Sequence, residues 1–218
     1  MGIIKTVADA FHDGDWPMWP ILAILVFWVG IGIERFIYLR KAGIDKEKLL
    51  ALLKGQIMAG NVQGAIKVCT GNPTPLTRII AAGLTKFNRP DAEVQAAMDE
   101  AALRELPRLE KRTGYLAMFG NVATLVGLLG TIVGLIHSFA GVAGVDPAMK
   151  ATMLSKGISE AMNCTAFGLI TAIPALIAFA FLNGWTQQII DDINEVSVQV
   201  LNLVVGHRNA MKGGSQAA

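Results

Sequence analysis

Gly127-Leu128-Leu129-Gly130-Thr131-Ile132-Val133-Gly134 is the centre of the stretch that decides the fold, an apolar run over residues 115–144. The run is long enough to cross a bilayer, and His137 is its only charged or titrating polar side chain between Arg112 and Asp146. Gly120, Ala123, Gly127, Gly130, Gly134 and Gly141 recur at steps of three, four or seven. Such a stripe makes a smooth groove where another backbone can come close, so Gly127, Gly130 and Gly134 are expected to be helix-packing positions. One residue around the helix lies a second row: Asn121, Thr124, Leu128, Thr131, Leu135 and Ser138. Hydrocarbon offers hydroxyls and amides no partner, so this row should face protein or water. The alternative is that each hydroxyl bonds back to a carbonyl of its own helix.

Composition agrees with a membrane protein. Of 218 residues 53% are hydrophobic, which is too apolar for a soluble domain of this length. A formal net charge of +2 gives no electrostatic basis for binding nucleic acid. Cys69 and Cys164 match neither a disulfide framework nor a zinc site, and His12, His137 and His207 are dispersed. No enzyme constellation appears, and 127–134 lacks the strand and lysine of a phosphate loop. The expectation is a channel or binding protein, not an enzyme, with no cofactor or metal.

The chain reads as all-α, with three transmembrane helices and long helices extending beyond the membrane. Residues 1–15 are expected to form an N-terminal segment with Val7, Ala10 and Phe11 on one side; with Asp9, Asp13 and Asp15 it lacks the basic start of a cleavable signal, so the first apolar segment is expected to stay as a span. Residues 16–39 are span one, opened by Trp16, Pro17, Trp19 and Pro20, an interfacial anchor followed by a helix start. Residues 40–114 form a helical domain with basic residues at both edges, Arg40 and Lys41 before it and Arg104, Arg108, Lys111 and Arg112 at its end. Basic residues at membrane ends are retained in the cytoplasm, so this domain is expected to be cytoplasmic and the N-terminus periplasmic.

Within that domain, breaks are expected at Gly55, Gly60, 71–73 and 88–90, and a bend or a new helix start at Pro107. Span two covers 115–143, a periplasmic connector 144–156 and span three 157–185. Tyr38, Tyr115 and Trp185 would then form an inner aromatic belt, with Trp16 and Trp19 at the outer edge. Residues 186–212 continue as a cytoplasmic helix and 213–218 are expected to be disordered. Ile189, Ile193, Val196 and Val200 make an apolar seam on that helix, which fits identical neighbours in an oligomer or the chain's own cytoplasmic helices.

Depth relates the two polar rows. At about 1.5 Å per residue, Thr131 lies roughly 24 Å from Tyr115 and Thr165 roughly 30 Å from Trp185, so the two hydroxyls share a height in the outer half of the membrane. Glu160 lies a turn or so further out. It is either an acid facing a hydrated passage or a first-turn acid with Ser155 or Ser159 as caps. Pro174 should free a carbonyl and loosen span three below it.

Several motifs carry a resemblance: GLLGT at 127–131 followed by Gly134 and Phe139, SEAMNCTAFGLITAIPAL at 159–176, and ERFIYL at 34–39. With the order of spans and cytoplasmic helices, the chain resembles the MotA/TolQ/ExbB proton-channel family, most closely the three-span TolQ and ExbB type. The resemblance implies that Thr131, Glu160 and Thr165 line a central channel, with Pro174 in the Ala-Ile-Pro motif; Thr124 and Ser138 are expected to line it as members of the polar row. It implies a homo-oligomer, a pentamer, in the bacterial inner membrane around two copies of a single-span ExbD/TolR-like protein. That partner's transmembrane Asp would carry the proton, and the flow would drive a TonB/TolA-like protein or gliding machinery. The ion implied is H+, with Na+ as the alternative because hydroxyls can coordinate it. One departure is Ala123-Thr124-Leu125 where many relatives have Ala-Pro-Leu. The rival reading is a passive membrane scaffold that recruits partners through its cytoplasmic helices.

Overall fold

A computed structural model of the chain describes residues 17–144 and 146–216, with side chains to Asn209. The expectations for residues 1–15, Trp16 and the last two residues lie outside the described residues. Every regular element among the described residues is an α-helix: α1 Met18–Ala42, α2 Lys46–Met58, α3 Val62–Gly71, α4 Pro75–Thr85, α5 Asp91–Glu110, α6 Thr113–Gly141 and α7 Pro147–Gln216. Three of them are long and apolar enough to cross a membrane. The chain divides into two compact units, one built from 17–35 with Arg112–Leu182, the other from Phe36–Lys111 with 183–216.

In the second unit the starts of α2, α3 and α4 are each fixed by a side chain. Asp45 accepts from the Lys48 amide at 3.2 Å and Asn61 from the Gly64 amide at 2.9 Å. Thr74 and Thr77 form a reciprocal capping box ahead of Pro75 at the first helical position. Gly60, at φ +70°, makes the turn between α2 and α3, a conformation a side chain would strain. The helices α2 to α5 then pack each on the next, most extensively α4 on α5. Their core includes Leu53, Ile57, Ile79, Ile80, Leu84 and Val94, all almost fully buried. Glu105, also buried, is held by Arg108 at 2.9 Å and Arg78 at 3.3 Å.

Ile189, Ile193, Val196 and Val200 are 7%, 2%, 2% and 1% exposed within the single chain. The oligomer seam expected there is therefore corrected: these side chains are used up inside the chain's own helical unit. A salt bridge fixes the same segment, with Lys46 Nζ at 2.7 Å from Asp192 and 2.8 Å from Glu195. Asp192 first, then Glu195, raises the Lys46 ammonium above its ordinary range.

Three further expectations are corrected. Gly55 does not break α2, because Leu49, Leu53 and Ile57 are buried on either side of it and outweigh the roughly 1 kcal/mol that glycine costs a helix. Of the two outcomes expected at Pro107, the new helix start does not occur: Pro107 lies inside α5, exposed, and the carbonyl it frees belongs to the exposed Leu103. The break comes at Arg112, the one non-glycine residue with positive φ, at +68°, among the described residues. Arg112 Nη1 donates to both carboxylate oxygens of Glu34 at 2.7 and 2.8 Å, which holds this junction in place. Residues 213–216, expected to be disordered, continue α7 to Gln216.

The connector expected over 144–156 also differs. Asp146 accepts from the Ala148 amide at 3.2 Å and Pro147 takes the first helical position, so α7 begins there and runs straight into the third span.

Burial pushes the Cys69 thiol up from 9.0 to about 11. The native state therefore keeps a proton that the unfolded chain loses first, and its stabilising effect should be lost as pH rises from about 9 to about 11. Denaturant unfolding across that range should show stability falling with pH in the native chain and a shallower fall in Cys69→Ala.

Candidate channel wall

The first unit positions the polar rows through the packing of α6 on α7. A methyl group placed on Gly127 would lie 3.0 Å from the Cys164 carbonyl and 3.1 Å from Gly168 Cα. One placed on Gly168 would lie 2.8 Å from the Ala123 carbonyl. The two backbones thus touch where both helices carry glycine, and no residue with a Cβ fits either place. Gly130 and Gly134 extend the contact, facing Cys164 and Ala161.

This approach brings Thr131 and Thr165 together. Their hydroxyls are in direct contact, and each lies within reach of the Gly127 carbonyl, at 3.1 Å from Thr131 and 3.2 Å from Thr165. Each hydroxyl has one hydrogen, so one donates to Gly127 and the other to its partner's oxygen. The remaining lone pairs can accept hydrogen bonds from a hydrated ion or from a neighbour's acid. Neither hydroxyl can hold a proton as a titrating base at ordinary pH, so the node solvates charge without storing it.

The remainder of the row behaves as the intrahelical alternative expected. Thr124 donates to the Gly120 carbonyl at 3.2 Å and Ser138 to the Gly134 carbonyl at 2.7 Å. Thr131 also lies over the carbonyl of its own helix, so in its case the two readings hold together.

Glu160 is not a first-turn acid. α7 starts at Pro147, more than three turns earlier, which removes the helix-cap explanation. Residues 164–182 carry no charged side chain and span about 28 Å, close to the roughly 30 Å of a hydrocarbon core. The charge-free run itself reaches from 161 to 190, so Glu160 marks its end. Its carboxylate lies 3.7 Å from Lys156 Nζ, one turn away on the same helix. Both line a cleft of about 240 Å³ with His137 and Ser138 of α6 and Pro17 at the start of α1.

The structure therefore forms two polar groups from the expected residues: the Thr131 and Thr165 node, and the cleft that holds Glu160 and Ser138. Thr124 belongs to neither. Pro174 is exposed and lies nine residues beyond Thr165, about half a turn around the helix, so it does not share the face of the hydroxyl node. Thr171 is 1% exposed and its hydroxyl has no hydrogen-bond partner. Lys156 escaped the sequence reading, although its spacing of four from Glu160 was the available signal.

The profile of the MotA/TolQ/ExbB proton channel family matches residues 72–195, a segment that contains Thr131, Glu160, Thr165 and the whole α6 and α7 contact. The chain belongs to that family. Among its relatives, the Tol-Pal system protein TolQ of Pseudomonas aeruginosa is 38% identical over 133 residues, covering 55% of this chain and 57% of its own length. The TolQ of Haemophilus influenzae is 36% identical, over 47% of this chain and 49% of its own. The biopolymer transport protein ExbB of Salmonella typhimurium is 33% identical, over half of each chain. The chain thus spans about half the length of these relatives.

Gly127→Val or Gly168→Val should drive α6 and α7 apart, at a cost of about 1–3 kcal/mol each for overpacking. The expected outcome is a lower midpoint of thermal unfolding in detergent for both, with Gly114→Val, where nothing crowds an added Cβ, close to the native midpoint.

Proposed function

We propose that the chain is a bacterial inner-membrane channel and stator subunit in which ions, H+ in the first place, move past walls built from α6 and α7. The observation that carries this reading is the contact between Thr131 and Thr165 on the shared Gly127 carbonyl. Two helices spend their closest approach on bringing alcohols together, where plain packing needs only alkyl groups. Several copies, five by the family resemblance, would enclose the passage. A single-span ExbD/TolR-like partner, in two copies, would supply the acid that this wall lacks. The N-terminus would then be periplasmic and the second unit cytoplasmic, consistent with Arg40, Lys41 and Lys111 at the ends of that unit.

The work would be done on the cell envelope, through a TonB/TolA-like protein or gliding machinery. One proton crossing 100 mV releases about 2.3 kcal/mol, enough to bias a smooth glycine-lined contact between two arrangements. The scaffold alternative loses its main support, because Ile189, Ile193, Val196 and Val200 are buried within the chain and offer no recruiting surface.

Thr131→Val and Thr165→Val keep volume and remove the hydroxyls. Each should lower proton flux at least tenfold, measured with a pH-sensitive dye in vesicles holding the chain and its partner, while the unfolding midpoint and the assembled size stay near native. Undiminished flux in both variants would refute the passage. Glu160→Gln removes charge at the mouth and should lower flux less than either threonine change.

A further inference from the structure

Where α1 ends, the chain turns through Gly43, Ile44 and Asp45 into α2. A cleft of about 340 Å³ opens there, and Arg40, Leu76, Trp185 and Gln188 are among the residues that line it. Both acids on its wall are neutralised by lysines. Asp45 is paired with Lys48 at 2.9 Å, a contact that holds its carboxyl below the usual range. Asp192 is paired with Lys46 at 2.7 Å. Glu195, which shares Lys46, is not on the wall.

Arg40 is different. It is exposed, it stands in the last turn of a membrane-crossing helix, and it has no carboxylate partner among the described residues. A guanidinium in that situation offers paired N–H donors to a phosphate, with the Gln188 amide available as a further donor. Trp185 adds an amphipathic ring of the kind that sits at headgroup level. Its edge-to-face partner is Phe36, at 5.6 Å between ring centres. Free phosphate would satisfy Arg40 as well. Ile44 and Trp185, however, are part-exposed on its wall and offer apolar surface that acyl chains can cover and phosphate cannot.

We propose that this cleft binds the phosphodiester headgroup of an anionic phospholipid, with Arg40 as the phosphate ligand. The site depends on the chain being a membrane protein and does not depend on ion conduction. Its occupant comes from the leaflet that faces the helical unit, where basic pockets at helix ends meet anionic headgroups.

The test is native mass spectrometry of the full-length chain released from detergent in the presence of phosphatidylglycerol or phosphatidylcholine at equal concentration. The native chain should retain phosphatidylglycerol about tenfold more than phosphatidylcholine. Arg40→Gln should reduce that retention about tenfold, the scale of one charge-assisted hydrogen-bonded contact. Arg40→Lys should restore part of it, and Lys54→Gln, an equal loss of charge at an exposed position off the cleft, should leave it unchanged. Millimolar inorganic phosphate should not displace the lipid. Equal retention of the two lipids, native retention in Arg40→Gln, or displacement by inorganic phosphate would each overturn the proposal, the last by making this a soluble-anion site.

Discussion

The contact of two backbones at Gly127 and Gly168 sets the geometry of everything around it. Within hydrocarbon, helices gain nothing from hiding apolar surface from one another, because lipid tails are equally apolar. What remains is close packing and hydrogen bonding. Gly127 supplies both: its missing side chain admits α7, and its carbonyl lies within reach of a hydroxyl from each helix. Without that approach Thr165 would have no route to the Gly127 carbonyl, and the alcohols would face separate surroundings. A packing detail and a polar node are here the same feature.

The apolar surface left over defines what surrounds the chain. Only 11%, 22% and 28% of the most apolar stretch of the three long helices is buried within the chain itself. Exposed side chains such as Phe27, Leu125, Ile132 and Ile177 would be ruinous in water, so lipid or further chains must cover them. The charges follow the same logic. The run 161–190 of α7 carries none, and Lys156 and Glu160 stand at its end, 3.7 Å apart. The third helix is thus a span with a polar extension, and that extension lines a cleft with the end of α6.

Much of this was legible because periodicity is a direct record of which face is buried. The glycine stripe of α6 and the heptad of Thr124, Thr131 and Ser138 could be read from spacing alone, and the structure puts the stripe against α7. What could not be read depends on partners distant in sequence. The seam of Ile189, Ile193, Val196 and Val200 looks the same whether a second copy or the chain's own helices bury it; Leu76, more than a hundred residues away, shares a cleft with two of those positions. Arg112 carries no local sign of its left-handed backbone, which Glu34 holds from 78 residues away. At Pro107 the sequence left a bend and a new helix start equally open, and it is the surroundings that let α5 run through it, with the freed carbonyl at the exposed Leu103. Asp146 with Pro147, by contrast, was a readable helix start that the expected connector overrode.

The division of labour follows from what the wall does not contain. Residues 115–136 and 164–182 hold no carboxylate, lysine, arginine or histidine, so neither stretch supplies a carboxylate, amine or imidazole to relay a proton. Two alcohols sharing one carbonyl can only lower the cost of a charge held by something else. On the reading as a channel subunit, the charge carrier must therefore be a mobile group from outside this chain, and the chain's contribution is a surface of nearly uniform height along which that group can change place. Glycine and small side chains supply the uniform height, and Thr131 with Thr165 marks one position on it as better solvated than its neighbours. A wall with its own buried acid would trap the proton there. One with hydroxyls alone favours a position and still lets the charge leave, which is what conduction coupled to movement requires.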